Sequence, residues 1–409
     1  MIKITNVLTP NGDRQDFTFA SKNEKHIDGT KLLALPGLID PHVHFRVPGM
    51  EDKEDWVHGS RASFKGGYTT VFDMPNTKPT TTTQERLHDK FSIINQQIVE
   101  SKLPMRYKLF FGADKNNFQE IVKVKDEIVG IKVFMGASTG ELLMDDESSL
   151  HAVYAIAAKF NLLIALHAED ELIIQQNTKK YENETDFKYH SIIRAPEAAV
   201  KAVELVIKLS RIYGVRSYVL HLSTKEELDL VRTAKKEGVM IYAETCPHYL
   251  FLDDSVYDKL YGFAKMNPPL RNKIEQQHIW DAINDGTIDT IGSDHAPHTL
   301  EQKKQPLCNC PSGVPGIETS LPLMLSAYKK GLLNLKSLIS LMHDKPKQIF
   351  NLESNDDIVF ANIEDYHPLT NEQLCTKVKW SPYTGMNLTG YPEYLYTQGE
   401  FYFLDEIKS

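Results

Sequence analysis

Residues 37–45 read Gly37-Leu38-Ile39-Asp40-Pro41-His42-Val43-His44-Phe45. A short apolar run that closes on polar side chains is the pattern of a buried strand whose end opens onto a site. The pattern recurs in residues 69–74, 106–112, 130–134, 162–167, 217–222, 239–244 and 288–293. Longer segments of helical period separate these runs, and that alternation is the signal of a parallel sheet crossed over by helices. Eight runs predict an α/β fold, a closed TIM-type (β/α)8 barrel. An open doubly wound sheet would carry a glycine-rich phosphate turn after its first strand, and none is present.

Outward from the barrel, residues 1–34 hold short β-like runs broken by turn signals at Thr9-Pro10-Asn11-Gly12 and Asp28-Gly29. Residues 355–409 are rich in Tyr, Phe, Pro and Gly, again strand-and-turn chemistry. Both ends flank the barrel, so residues 1–34 and 355–409 are expected to form one small composite β-domain, with the catalytic barrel in 35–354. At 409 residues the chain is long enough for a barrel of about 250 residues with insertions plus a smaller unit. Apolar residues at 41% and charged residues at 25% exclude a disordered chain. The net charge of -9, with no basic stripe, argues against nucleic acid. No apolar window approaches the ~18 residues of a membrane span, and residues 1–10 lack a secretory signal. The four cysteines, Cys246, Cys308, Cys310 and Cys375, read as reduced thiols of a cytoplasmic protein.

The chemistry sits at the ends of the strand runs. Side chains alternate along a strand, so His42, His44 and Arg46 share one face. In 130–134 a lone Lys132 interrupts an apolar run, and a buried ammonium must be paired, neutralised or modified. His167, His221 and Asp294 close three further runs. Barrels place their sites at the C-terminal ends of their strands. Four histidines, a lysine and an aspartate from five strands therefore point to a metal centre. Imidazole and carboxylate without thiolate suit Zn, Mn, Co or Fe. Arg46 is placed to grip a substrate carboxylate, unless Glu51, Asp52, Glu54 or Asp55 takes it. Lys132 has Asp145 or Asp146 as its alternative partner.

With these residues in view, the chain resembles the amidohydrolase superfamily and, within it, the dihydroorotases of the longer, barrel-plus-β-domain type. The resemblance covers nearly the whole chain. It rests on 40–46 (DPHVHFR), 73–77 (DMPNT), 130–135 (GIKVFM), 166–169 (LHAE), 267–271 (NPPLR), 292–298 (GSDHAPH) and 313–319 (GVPGIET). It implies that His42 and His44 hold one divalent ion and His167 and His221 a second, with Zn2+ the first choice. It implies that Lys132, carbamylated by CO2 to N6-carboxylysine, bridges both, and that Asp294 binds the first ion and moves protons. Some dihydroorotases of this length use an aspartate bridge instead. Arg46, Asn76, Asn267 and His298 would hold the substrate, and the 313–319 loop would offer backbone groups to its ring. The implied reaction is reversible hydrolysis of (S)-dihydroorotate to N-carbamoyl-L-aspartate by a hydroxide bridging the two ions, in pyrimidine (UMP) biosynthesis. The partner is then a small molecule, not nucleic acid or membrane, and a homodimer fits the family. Two rival readings stand beside this one. A dihydropyrimidinase, hydantoinase or allantoinase would share the metal cage, and a non-catalytic scaffold would lack some of its ligands.

Overall fold

The computed structural model describes residues 1–22, 24–137 and 142–408. Eight strands form one sheet: β1 (Leu38–Val43), β2 (Tyr68–Asp73), β3 (Arg106–Gly112), β4 (Gly130–Phe134), β5 (Ile164–His167), β6 (Ser217–Val219), β7 (Ile241–Thr245) and β8 (Thr290–Ile291). They pair in chain order, each parallel to the next. Helices such as Trp56–Lys65, Gln84–Ser101 and Pro196–Tyr213 make the crossovers. The first and last strands are not joined by a continuous ladder. His44 N donates to His295 O at 2.8 Å, and Ser293 N to Asp40 Oδ1 at 3.0 Å, which brings the barrel close to closure.

The alternation expected of a strand sorts two cores. In β5, Ile164 and Leu166 join the large cluster between sheet and helices, while Ala165 joins an inner cluster with Ile39, Phe72, Phe110, Tyr218 and Leu220. Ile349 and the partly buried Phe350 complete that inner layer. The barrel is thus packed inside, and the polar strand ends lie beyond its apolar filling.

Three strands stop two or three residues earlier than their apolar patterns predict, the run at 37–45 ending at Val43. Residues 217–222 and 288–293 read as strands, but the ladders end at Val219 and Ile291. The cause lies at His221 and Asp294, whose φ angles of 43° and 44° turn the chain out of the extended region. Arg46, with φ 66°, turns in the same way after β1. Such left-handed backbone costs a residue with a side chain about 1–3 kcal/mol, and three of the residues that bear it here are Arg46, His221 and Asp294.

A second, curled sheet draws on both ends of the chain. Its order is Glu400–Phe403, Tyr391–Thr397, Ile358–Asn362, Leu32–Pro36, Ile2–Leu8 and Arg14–Phe19, with Lys25–Asp28 also on Ile2–Leu8. Ile2, Ile4, Val7, Phe19, Leu32, Ala34 and Phe360 form its own core, and the Phe19 and Tyr396 rings lie 4.5 Å apart. Residues 367–388 leave this sheet. Among them, 374–380 lie against the barrel mouth.

One buried ion pair fixes the strand-to-loop turn after β2. Lys90 Nζ lies 2.6 Å from Asp73 Oδ2, both fully buried, and donates to Met74 O at 2.9 Å. Asp73 Oδ1 accepts Phe45 N at 2.8 Å, tying β2 to the end of β1. Removing one partner of a buried pair leaves the other charge stranded. Asp73→Ala should therefore lower the unfolding free energy by about 3–5 kcal/mol in urea titrations. A loss below about 1 kcal/mol would show that this pair does not anchor the turn.

Candidate active site

The donors expected from five separate strand ends come together. His42 and His44 stand on and just beyond β1, Lys132 on β4, His167 closes β5, and His221 and Asp294 follow β6 and β8. All are buried. His42 Nε2 and His44 Nε2 lie 3.3 and 3.1 Å from Asp294 Oδ1. His167 Nδ1 lies 3.0 Å from His221 Nε2, and the His42 and His221 rings, 5.6 Å apart, join the two halves.

Each ring's far nitrogen decides what its near nitrogen offers. His42 Nδ1 donates to Glu244 Oε1 at 2.7 Å and His44 Nδ1 to Asn76 Oδ1 at 2.8 Å. The proton therefore sits on Nδ1, and Nε2 turns a lone pair toward Asp294. Burial drives the His44 pKa down to about 3, so the ring is neutral. Burial alone would raise Asp294, but His42, His44 and His221 overcome it and hold the carboxyl well below its usual range. The neutral His44 ring and the ionised Asp294 thus face one another beside His42, an arrangement of donors that a cation relieves. The donor atoms of His42, His44 and Asp294 all lie within 4.8 Å of one another. His167 Nε2 lies 2.8 Å from Glu169 Oε2, which leaves Nδ1 to face His221 Nε2. Buried His221 Nδ1 has no partner among the described residues. The residues present fit a metal centre of nitrogen and oxygen donors.

Lys132 lies close enough for its charge to act on His167 and His221, and that of Asp294 to act on it. Burial lowers its pKa to about 7, against the pull of Asp294 and Glu244, so much of it is the neutral amine at physiological pH. Among the described residues its ammonium makes no hydrogen bond or ion pair; its Nζ lies 4.4 Å from the Phe134 ring centre. Asp145 and Asp146 are taken by Lys115, at 2.6 and 3.2 Å, which removes them as its alternative partners.

Arg46 is buried at 1% exposure, and no carboxylate lies within ion-pair distance among the described residues. The four carboxylates offered as its partners are otherwise placed. Glu51 caps Gly49 N, Glu54 holds His295, Asp55 pairs with Lys377, and Asp52 is solvent-exposed. Burial lowers the Arg46 pKa to about 10, so it stays charged at neutral pH. Its Nε donates to Pro297 O at 3.2 Å, and one terminal nitrogen lies 3.3 Å from His298 Nε2. His298 Nδ1 has no partner among the described residues. Asn76 is committed to His44. Among the described residues Asn267 Oδ1 is buried without a partner, and no hydrogen bond links it to the donors or to Arg46. In the 313–319 loop, Gly316 N and Ile317 N turn to His295 Nδ1, at 3.2 and 3.4 Å, so these two groups are not free for a ligand.

Four contributors carried no clear sequence signal. Glu244 ends β7 and also accepts Tyr218 OH at 2.6 Å. A Cβ on Gly292 would collide with the Glu244 carboxylate and His42 Cβ, so only glycine fits there. Arg194 donates through Nε to Glu169 Oε2 at 2.9 Å, and with His167 it holds Glu169 ionised against burial. Asp40, raised to about 7 by burial, accepts His42 N at 3.2 Å. Trp380 donates to His298 O at 2.8 Å. A lone Glu closing an apolar strand run was the one readable signal; the others act across folded distance.

A buried polar donor cage stands at the C-terminal mouth of a (β/α)8 barrel, the face on which such barrels carry their active sites. The sequence model of the amidohydrolase family matches residues 33–355, and the chain belongs to that family, as a cyclic amidohydrolase. The dihydroorotase of Methanosarcina acetivorans is 33% identical over 410 residues, covering 96% of this chain and 86% of that protein. The dihydroorotase of Bacillus licheniformis is 32% identical over 393 residues, covering 93% and 89%. Among solved structures, the L-hydantoinase (dihydropyrimidinase) of Arthrobacter aurescens aligns with a TM-score of 0.88 at 26% identity, over 98% of this chain and 95% of that one. No helix among the described residues is long and apolar enough to cross a membrane.

Glu244 orients the His42 ring through Nδ1. Glu244→Ala should weaken divalent-ion affinity about 10–100-fold while the fold persists, as read by equilibrium dialysis with zinc and by circular dichroism. Unchanged affinity would remove Glu244 from the cage.

Proposed function

We propose that this cyclic amidohydrolase catalyses the reversible hydrolysis of (S)-dihydroorotate to N-carbamoyl-L-aspartate, a step of pyrimidine biosynthesis in the cytoplasm. The observation that carries this reading is the buried Arg46, charged and with no carboxylate at ion-pair distance among the described residues, beside His298. An uncompensated buried charge is costly, and a ligand that brings a carboxylate removes the cost. Dihydroorotate has that group; dihydrouracil and unsubstituted hydantoin do not. The dihydroorotase names of the sequence relatives support the same choice.

His42, His44 and Asp294 would hold one divalent ion, His167 and His221 the other, and Lys132 would stand between them. When bound, the pair supplies Lewis acidity toward a carbonyl oxygen and makes water acidic enough to attack. The neutral Lys132 amine adds CO2 with loss of one proton, which gives a carbamate anion where two cations would otherwise repel. Asp294, held ionised by three histidines, takes the proton of the attacking water and returns it to the leaving ring nitrogen. The C–N bond of the ring amide breaks, one carboxylate and one ureido N–H form, and the reverse sequence closes the ring. Arg46 fixes the substrate carboxylate through paired N–H donors, with His298 beside it. Asn76 serves chiefly through His44, and Asn267 offers its unpartnered carbonyl to the ring.

The likeness to the Arthrobacter aurescens hydantoinase favours one rival, a dihydropyrimidinase or hydantoinase. Ring opening measured side by side on dihydroorotate, dihydrouracil, hydantoin and allantoin separates them. Turnover of dihydrouracil without dihydroorotate would reverse the assignment. Arg46→Ala should keep its metal content and lose about 100-fold or more in kcat/KM on dihydroorotate, because a stranded buried charge costs about 2–5 kcal/mol. Undiminished turnover in that variant would refute the carboxylate clamp. Lys132→Ala should lose activity and regain part of it in added short carboxylic acids; full activity without them would exclude a bridging role.

A further inference from the structure

Residues 374–380 belong to neither barrel strand nor terminal sheet, yet their polar groups end on elements that carry the site. Cys375 N and Thr376 N donate to Glu318 at 2.7 and 2.9 Å, at the start of the helix after the 313–316 turn. Thr376 Oγ1 donates to Glu54 Oε2 at 2.5 Å, and Glu54 holds His295 Nε2 at 3.1 Å. Lys377 Nζ lies 2.7 Å from Asp55 Oδ2. Trp380 closes the series with its indole N–H on His298 O.

That last contact acts on a particular peptide. Arg46 Nε donates to Pro297 O and Trp380 Nε1 to His298 O, so consecutive carbonyls receive the guanidinium and the indole. Lys303 Nζ holds the opposite side, donating to Pro311 O and Gly313 O at 2.9 Å each, while His298 Nε2 lies 3.0 Å from Ser312 O. The Trp380 ring is 2% exposed and packs edge-on against Phe263 at 5.0 Å. An indole N–H is a donor only, so its direction follows from the ring's seat. Three rings of the cage are oriented by other contacts: His42 by Glu244, His44 by Asn76 and His167 by Glu169.

We infer that Trp380 is a positioning residue that sets affinity for a carboxylate-bearing ring, by holding the 297–298 backbone on which Arg46 and His298 are aligned. The inference rests on the reading of Arg46 as a carboxylate clamp. Trp380 acts through that peptide and does not touch the reacting atoms. Its loss is therefore felt in KM for dihydroorotate and not in the chemical step.

The test uses the metal-loaded full chain, wild type against Trp380→Phe and Phe263→Leu. Trp380→Phe keeps an aromatic ring and removes the donor; Phe263→Leu loosens the ring's seat from a half-buried position. Trp380→Phe should raise KM for dihydroorotate about five- to tenfold, as expected for one hydrogen bond, with kcat within about twofold. Phe263→Leu should raise KM in the same direction by less. Metal content and Tm, read in parallel, separate positioning from folding. An unchanged KM in both variants, or a fall in Tm alone, overturns the inference. If Trp380→Phe does not fold, an unchanged KM in Phe263→Leu overturns it alone. A wild-type enzyme that leaves dihydroorotate untouched refutes the carboxylate reading itself, and the inference falls with it before either variant is measured.

Discussion

Nitrogen and oxygen donors crowd together, buried, at the mouth of this barrel, and that convergence is what the rest of the structure maintains. His42 Nε2 and His44 Nε2 face an ionised Asp294 because Glu244 and Asn76 hold their other nitrogens. Left alone, such an arrangement would relax by protonation or by rotation of the rings. Burial forbids the first for His44, and the partners forbid the second. The cost is spread over a large molecule: an inner apolar layer, an outer layer against the helices, and buried ties such as Lys90 with Asp73. Even the backbone contributes, since Arg46, His221 and Asp294 all hold left-handed φ.

A second uncompensated feature lies beside the first. Arg46 is a buried cation with its natural counter-charges drawn elsewhere. The donor cage suits cations, whereas Arg46 suits an anion. In the function proposed above, a cyclic amide with a carboxylate would engage both, its amide at the cage and its carboxylate at the guanidinium, with one rigid ring spanning them. Preorganised groups of this kind stabilise developing charge without having to move during reaction. The terminal segment at 374–380 extends this logic, because it braces the face that carries Arg46 and His298 from outside the barrel.

Much of the barrel was readable because a strand buried on both faces must be apolar, and a polar residue at its end then stands out. His42, His44, Lys132, His167, His221 and Asp294 were visible for that reason. The ends of β6 and β8 were not, since apolar residues continue past the point where His221 and Asp294 turn the chain. Arg194 and Trp380 were invisible for another reason. Neither breaks a local pattern: Arg194 precedes a helix, and Trp380 sits in a turn-rich stretch. Their roles come from partners 25 and 82 residues away, Glu169 and His298. Arg46 was readable as a site residue, but its lack of a counter-ion was not, because four acidic residues follow it within a few positions and only folding shows where each one goes.

The account stands most directly on anomalous X-ray scattering from crystals grown with zinc and bicarbonate, collected at the metal edge. It predicts two anomalous peaks, one among His42, His44 and Asp294 and one beside His167 and His221, with extra density extending from Lys132 Nζ between them. An empty mouth at saturating metal, or a single ion with a bare lysine, would contradict it.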